Sequence, residues 1–483
     1  MPLKTTNVYT KLFCILFFSI SCLQCYGQQT EINFSALSAD SYADKIAQLK
    51  KYAVPKFYKE KSAQAWYEEI LTDRNKGLLT EFEENQVVKD ALLLDKCNTI
   101  LKRIIAANKN YNFDTIHLYI NRSAIANAAC YGEGTVMINL GLFLWIDNDD
   151  ELALVIGHEL SHQLLNHLES KLQKSITMLT SDEFIAELKN IKKADYGKFD
   201  RYRKLMKGLN IENGKHSRYK ESEADSLGVI LIKNAGYNTA QAAKVLLKLD
   251  KVDNLFSSGK LYTLKDFFAQ APIEQTYFQK KVKYNGLSGM TVTMNADKDI
   301  DSIKTHPDCI KRYQTITGSS NPENVNCCTV LSNAYKDIKE NAMLELVRYF
   351  YENNRLGLCT HLCFFALQNQ YDATTYNYFL SLCFSKLFYN DKKLERFSAA
   401  NAYADAGSNL KELQDFLFNC NTEDLEKLSA YFLNKNAADN SDDYAFAKLM
   451  YNTQINMKDE TTFYSNFKTK YPNSKYNYLI QKK

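Results

Sequence analysis

Two histidines in one helical segment are the residues of this sequence best placed to do chemistry. His158 and His162 lie four positions apart, and Glu159 directly follows the first of them. Positions i and i+4 of an α-helix lie nearly above one another, so two imidazoles at this spacing can bind one metal ion from a single face. Glu159 can then act on a metal-bound water, in the arrangement of two His ligands and a Glu general base that zinc hydrolases use.

A catalytic zinc ion requires a third protein ligand and one open position. Glu221 is the preferred candidate, because it opens a Glu-x-x-Ala-Asp pattern in a second predicted helix. Asp225 lies one turn further on and faces the same way, where it can hydrogen-bond a ligand side chain. Glu223 stays as the alternative third ligand, and a solvated acidic helix face is the alternative to any metal-binding role.

His167 and Glu183 are two further candidates downstream of the motif. His167 comes five residues after His162, so helical geometry predicts that it points well away from the metal face. Glu183 has a spacing that suits thermolysin-like enzymes, but its neighbours give no support. We therefore expect neither residue to bind the metal.

The elements around the motif are predicted to combine helices with a small β-sheet. Residues 115–120 alternate as a strand does, and residues 135–139 form a second strand that could bind substrate through main-chain hydrogen bonds. The acidic run at 148–151 favours a helix start, so the motif helix is predicted over 150–167. A Lys-rich helical insert follows at 169–216, where Gly214 and His216 are expected to end it.

The composition is that of a folded protein with about three domains at 483 residues. Its net charge of +4 is too small to indicate nucleic-acid binding. From residue 321 to 483 the pattern is helical throughout and resembles degenerate tetratricopeptide repeats, with an ordinary helical bundle as an equal alternative. A helical region of this kind could bind protein partners.

The N-terminus has the features of an export signal. Lys4 and Lys11 precede an apolar run at 12–20, and the residues at 25–27 that follow it favour cleavage after Gly27. Attachment of a lipid at Cys22 is the weaker alternative. No later segment holds eighteen unbroken apolar residues, so the mature chain is predicted to lack a transmembrane span and to reside in the periplasm or cell envelope.

Several segments share a family pattern, at 127–128, 134–142, 157–162, 221–228, 235–237 and 305–307, with Arg312 after the last. Together they resemble the HtpX, Oma and CAAX-prenyl-endopeptidase family of zinc metallopeptidases, over roughly residues 95 to 315. The resemblance implies one zinc ion per chain, bound by His158, His162 and Glu221, with Glu159 as the catalytic base. The missing transmembrane helices and the long insert are departures from the membrane members of the family.

The expected fold class is mainly α with some β: a zincin-like metallopeptidase domain with a small sheet, followed by an all-helical region. The expected divisions are a signal peptide at 1–27, a helical part at 28–110, a metallopeptidase core at 111–320 and a helical domain at 321–483.

These features predict an exported zinc endopeptidase that hydrolyses polypeptides, including misfolded envelope proteins, in envelope quality control. His306 is the candidate donor to the oxyanion, with a structural or inhibitory role as the alternative. A chaperone-like module that binds proteins through its helical tail, with little proteolysis, is the alternative function.

Overall fold

The computed structural model describes most of the chain between residues 43 and 481. The described residues are 43–49, 58–83, 86–88, 90–113, 116–194, 196–258, 261–279, 309–319, 331–400, 408–435, 441–455, 460–474 and 476–481. The predicted signal peptide at 1–27, with Cys22, lies outside them, and so does His306. The predicted fold class is confirmed, because the described residues are mainly helical and include one small sheet.

The first helices and the sheet come before the motif helix. The elements are α1 (Ala43–Leu49), α2 (Lys61–Glu83), α3 (Ala91–Ala107), β1 (His117–Asn121), β2 (Ala128–Gly132), β3 (Thr135–Asn139) and the short α4 (Leu140–Phe143). The strand order is β1-β3-β2, with β1 parallel and β2 antiparallel to β3. Both predicted strands are present, and β2 is an additional strand.

The sheet topology corrects the prediction that residues 135–139 accept substrate as an added strand. β3 is the central strand and already hydrogen-bonds to a neighbour on each side. Within the described sheet, β2 is an edge strand, and it packs beside the motif helix. An extended peptide can therefore add only at an edge such as β2.

The motif lies on α5 (Asp149–Leu164), which begins as the sequence predicts and ends earlier. Asn148 caps the helix by accepting a hydrogen bond from the backbone N–H of Glu151, and three carboxylates occupy the first turn. The helix ends before His167 because Asn166 adopts a left-handed conformation, with φ of 50°. Asparagine tolerates this region better than most residues, so the chain can turn here.

The insert forms three helices, and the last of them continues into the second motif. They are α6 (His167–Leu179), α7 (Asp182–Lys193) and α8 (Lys198–Asn234). The expected end at Gly214 and His216 is wrong, because α8 runs through both positions. One interior glycine disfavours a helix by only about 1 kcal/mol, which the remainder of a 37-residue helix can outweigh.

The rest of the chain is helical. The elements that follow α8 are α9 (Thr239–Ala242), α10 (Lys244–Ser258), α11 (Leu264–Phe267), a 3₁₀ helix (Gln275–Gln279) and α12 (Cys309–Thr317). The C-terminal elements are α13 (Asn333–Glu352), α14 (Leu356–Gln368), α15 (Ala373–Lys392), α16 (Arg396–Ala400), α17 (Ser408–Asn419), α18 (Thr422–Asn434), α19 (Asp442–Ile455), α20 (Glu460–Lys470) and α21 (Asn477–Gln481). Among the described residues, no helix is both long and apolar enough to span a bilayer.

The C-terminal helices join the rest of the chain through buried charges beside the start of α5. Lys339 on α13 donates hydrogen bonds to Asp147 and to the carbonyl of Leu144, each at 2.8 Å. Lys248 on α10 pairs with both Asp147 and Glu151, which is fully buried. The described residues between 43 and 481 belong to one compact unit. The domain boundary at 320 and the tetratricopeptide repeats stay predictions.

Candidate metal centre

Two glycines allow α5 and α8 to cross at close range. A Cβ atom added at Gly228 would lie 3.1 Å from the carbonyl carbon of Gly157 and 3.1 Å from the amide nitrogen of His158. A Cβ atom added at Gly157 would lie 3.1 Å from the carbonyl oxygen of Gly228. Any larger residue at these positions would push the helices apart. The crossing therefore brings the paired histidines of α5 next to Glu221 of α8.

The structure brings the three predicted ligands together. Nε2 of His158 lies 3.1 Å from Nε2 of His162 and 3.3 Å from Oε2 of Glu221, while Nε2 of His162 lies 3.5 Å from Oε1 of Glu221. With bonds of about 2.05 Å, two ligand atoms of a tetrahedral zinc site lie about 3.3 Å apart. Among the described residues, these three form a His/His/Glu group compact enough to hold one metal ion. The donor set and its spacing fit zinc.

Asp225 orients the ring of His158 through a hydrogen bond to Nδ1, the ring nitrogen that faces away from the other predicted ligands. Nδ1 of His158 donates to Oδ1 of Asp225 at 2.9 Å, which leaves Nε2 to face the other ligands. Arg312 on α12 donates to both carboxylate oxygens of Asp225, from Nε at 2.7 Å and from Nη2 at 2.8 Å. This places Asp225 where the sequence predicts it. Only the family pattern pointed to Arg312. Its guanidinium neutralises Asp225, and its Nη1 lies 3.6 Å from Oε2 of Glu221.

His167 contacts Nδ1 of His162 just as Asp225 contacts Nδ1 of His158, contrary to the sequence prediction. Because α5 ends at Leu164, the chain turns back and places Nδ1 of His167 2.9 Å from Nδ1 of His162. Nε2 of His167 lies 3.4 Å from Oε2 of Glu223, so the alternative third ligand faces His167. With a metal held by Nε2 of His162, the Nδ1 of that ring would carry the proton and donate to His167. His167 would thus hold the ring of His162 in the ligating tautomer.

The ionisation of the cluster is that of a cation-binding site. In the protein alone, burial opposes the charge on His158, but hydrogen bonds to Asp225 and Glu221 raise the pKa of His158 to about 9. Burial and the charge of His158 lower the pKa of His162 to about 3. Burial opposes the charge on Glu221 too, yet the hydrogen bond from His158 lowers the pKa of Glu221 to about 2. A bound metal would replace the single proton that His158 carries.

Glu159 lies at the wall of the cavity next to the three ligands. Its side chain is buried, and burial raises its pKa above the ordinary value, although the charge of His158 and a backbone hydrogen bond from Cys130 act in the opposite direction. A carboxylate with a raised pKa is a stronger base and suits general-base chemistry near neutral pH. The cavity has a volume of about 270 Å³, and β2 and α10 contribute to its lining.

A second, larger cavity is lined by two of the predicted ligands, His162 and Glu221, and by part of β2. It has a volume of about 730 Å³ and shares Cys130, His162 and Glu221 with the smaller cavity. Its lining includes the turn after β2 and the start of α6. Both cavities therefore border the predicted ligands and the edge strand β2.

Comparison with known proteins assigns this region to a family. Residues 95–320 match the family model described as Peptidase family M48. The chain carries a peptidase family M48 domain. The match confirms the predicted family resemblance.

Three relatives match over about a third of this chain. The Beta-barrel assembly-enhancing protease of Yersinia pestis is 26% identical over 34% of this chain and 34% of its own length. The Mitochondrial metalloendopeptidase OMA1 of Arabidopsis thaliana is 27% identical over 35% of this chain and 33% of its own length. Metalloprotease YcaL of Escherichia coli is 28% identical over 34% of this chain and 62% of its own length. The matched part thus spans less than two thirds of each relative.

Proposed function

We propose that this protein is a zinc-dependent endopeptidase in which His158, His162 and Glu221 hold the metal and Glu159 is the general base. The observation that carries the proposal is the spacing of the three ligand atoms, at 3.1 to 3.5 Å from one another, with the Glu159 carboxylate at the wall of the same cavity. Two imidazoles and one carboxylate are the donor set of catalytic zinc in many peptidases. The peptidase family M48 match supports the same reaction class.

Each residue near the metal centre has a separate role in the proposed hydrolysis. Bound zinc would supply a Lewis acid and lower the pKa of a coordinated water. Glu159 accepts a proton from the attacking water and delivers it to the leaving amine of the cleaved peptide bond. Asp225 and His167 hold the two imidazoles with Nε2 inward, and Arg312 holds Asp225.

The edge strand β2 supports a role in substrate binding. An extended polypeptide that pairs with β2 through main-chain hydrogen bonds would lie along the free edge of that strand, beside the cavity lined by Glu159. Such binding uses the backbone of the substrate and gives little side-chain selectivity. We propose His306 as the oxyanion donor on the sequence pattern alone.

The test compares Glu159→Gln with the wild-type chain in a casein-hydrolysis assay, with zinc measured in both. We expect Glu159→Gln to retain zinc and lose hydrolysis, because the amide cannot accept the proton. Glu183→Gln is the matched control: Glu183 is exposed on α7, and this variant should hydrolyse casein normally. A chelator should abolish the wild-type activity, whereas a scaffold module with little proteolysis would show no chelator-sensitive hydrolysis. Appreciable turnover by Glu159→Gln would remove Glu159 from this role.

We further propose that the chain is exported and acts on polypeptides in the cell envelope, including misfolded envelope proteins. The signal-like residues 1–27 support export. One relative bears the name Beta-barrel assembly-enhancing protease, which supports an envelope role. We also propose that the helices from 331 onward bind protein partners. Fractionation of native cells should recover the chain outside the cytoplasm, and recovery in the cytoplasm would contradict export. If a lipid is attached at Cys22, Cys22→Ala should release the chain from membranes.

A further inference from the structure

The end of the helical hairpin α7–α8 carries exposed aromatic side chains. The described residues 192–194 and 196–204, which we call the hairpin tip, include Tyr196, Phe199 and Tyr202, with exposed fractions of 89%, 74% and 46%. In α7 itself, Phe184 and Ile191 are buried, and Ile185 is 37% exposed. The three aromatic residues of the tip thus expose apolar surface to water close together in the chain, which is a feature of interaction sites.

The same segment is strongly basic. In the sequence, residues 192–204 contain six Lys or Arg residues and two Asp residues. Five of the basic side chains are described, and all five are exposed: Lys192, Lys193, Lys198, Arg201 and Lys204. Aromatic rings among lysines fit a surface that is anionic outside and apolar beneath, because the rings enter the interface while the ammonium groups stay at the headgroups.

We propose that the hairpin tip binds the surface of an anionic lipid bilayer. This role goes beyond the proposed hydrolysis and does not depend on it. We choose a bilayer as the partner because it matches both the charge and the aromatic residues of the tip. A soluble polyanion would pair with the lysines but would leave Phe199 and Tyr196 in water. A bilayer with anionic headgroups satisfies both sets of groups.

The continuity of α8 gives this contact a consequence for the metal centre. Phe199 and Glu221 lie on the same helix, 22 positions apart, which corresponds to about 33 Å along the helix axis at 1.5 Å per residue. A tip held at a bilayer would therefore place the metal centre within about 33 Å of that surface. Polypeptides at the membrane surface would be within its reach.

The test is co-sedimentation with phosphatidylcholine vesicles that contain or lack phosphatidylglycerol, using the chain from Gln28 onward so that no lipid at Cys22 contributes. We expect binding only to vesicles with phosphatidylglycerol, weakened by added salt. The variant K192E/K193E/K198E should bind about 100-fold more weakly, since each basic residue near an anionic surface contributes about fivefold. The matched control K76E/K102E/K109E changes three exposed lysines elsewhere by the same charge and should bind as the wild type does.

A second pair of variants separates the aromatic contribution from charge. Y196S/F199S/Y202S keeps every basic residue and should lose about tenfold or more in affinity for the same vesicles. L394S/F397S removes exposed apolar residues elsewhere, at 91% and 57% exposure, and should have no effect. Circular dichroism melting of all variants checks that they fold, and Phe199→Trp should show a blue-shifted emission on binding.

Three outcomes would overturn the proposal. The first is the absence of wild-type binding to vesicles that contain phosphatidylglycerol. The second is an equal loss of binding in the tip variants and their controls. The third is binding to soluble heparin or duplex DNA with no binding to vesicles, which would identify the tip as a polyanion site.

Discussion

The close crossing of α5 and α8 leads to a prediction for Gly228→Ala. The new methyl carbon would lie 3.1 Å from two backbone atoms of the facing helix, the carbonyl carbon of Gly157 and the amide nitrogen of His158. Carbon atoms in contact normally lie about 3.5 to 4.0 Å apart, so the helices must separate by about 0.4 Å or more. That displacement acts on His158 of one helix and, through α8, on Glu221 of the other.

The effect on metal binding should exceed the effect on stability. Overpacking of this kind costs about 1 to 3 kcal/mol, and alanine recovers about 1 kcal/mol through its higher helix propensity. The metal-free protein can relieve the strain by separating the helices, but a bound metal requires the original spacing, because ligand distances tolerate only about 0.2 Å. Strain of about 2 kcal/mol in the bound state weakens zinc affinity about thirtyfold.

The assay is a competition titration of zinc against a chromophoric chelator, with urea unfolding of the metal-free protein measured in parallel. Gly77→Ala is the control, because Gly77 lies in α2 with no atom within 4 Å of the added Cβ. It should stabilise the protein by up to about 1 kcal/mol and leave zinc affinity unchanged. Wild-type zinc affinity in Gly228→Ala would refute the reasoning that the close crossing sets the ligand spacing.

Three further predictions concern the groups around the metal centre and the start of α5. In the protein alone, His158 has a pKa of about 9 and His162 one of about 3, so zinc binding near pH 7 should release about one proton per ion. The affinity for zinc should fall about tenfold per pH unit below 9. Calorimetry in two buffers measures the number of protons released, and a release near zero would contradict the prediction. His167→Phe should weaken zinc binding about tenfold with unchanged circular dichroism, because the hydrogen bond that orients His162 is lost; unchanged affinity would limit His167 to packing. Lys339→Met should lower the free energy of unfolding by about 3 kcal/mol in urea, because it breaks a buried ion pair with Asp147; a change below about 1 kcal/mol would mean that Lys248 alone neutralises Asp147.

The features predictable from sequence are those that depend on spacing within one helix. The positions of His158, Glu159 and His162 follow from a four-residue repeat, and Asp225 follows from Glu221 in the same way. The start of α5 was likewise readable, since Asn148 and three carboxylates mark a helix N-terminus. Local geometry fixes all of these before any tertiary contact forms.

The features missed by the sequence depend on breaks in regularity or on distant contacts. Helical periodicity extends α5 through His167 and so turns this residue away from the metal site, whereas the left-handed Asn166 ends the helix first. Asn166 is the one local signal of that turn. β2 was missed because its small side chains give no alternation, and its hydrogen bonds to β3 supply the strand instead. The pairing of Arg312 with Asp225 joins positions 87 residues apart, so no local pattern reveals it.

The claim that two imidazoles and Glu221 hold a metal is tested most directly by metal analysis of the purified protein. We predict about one zinc ion per wild-type chain and almost none in Glu221→Ala. Glu223→Ala, which removes a carboxylate two positions away that faces His167, should keep its zinc. Full zinc content in Glu221→Ala, or loss of zinc in Glu223→Ala alone, would contradict the assignment of the third ligand.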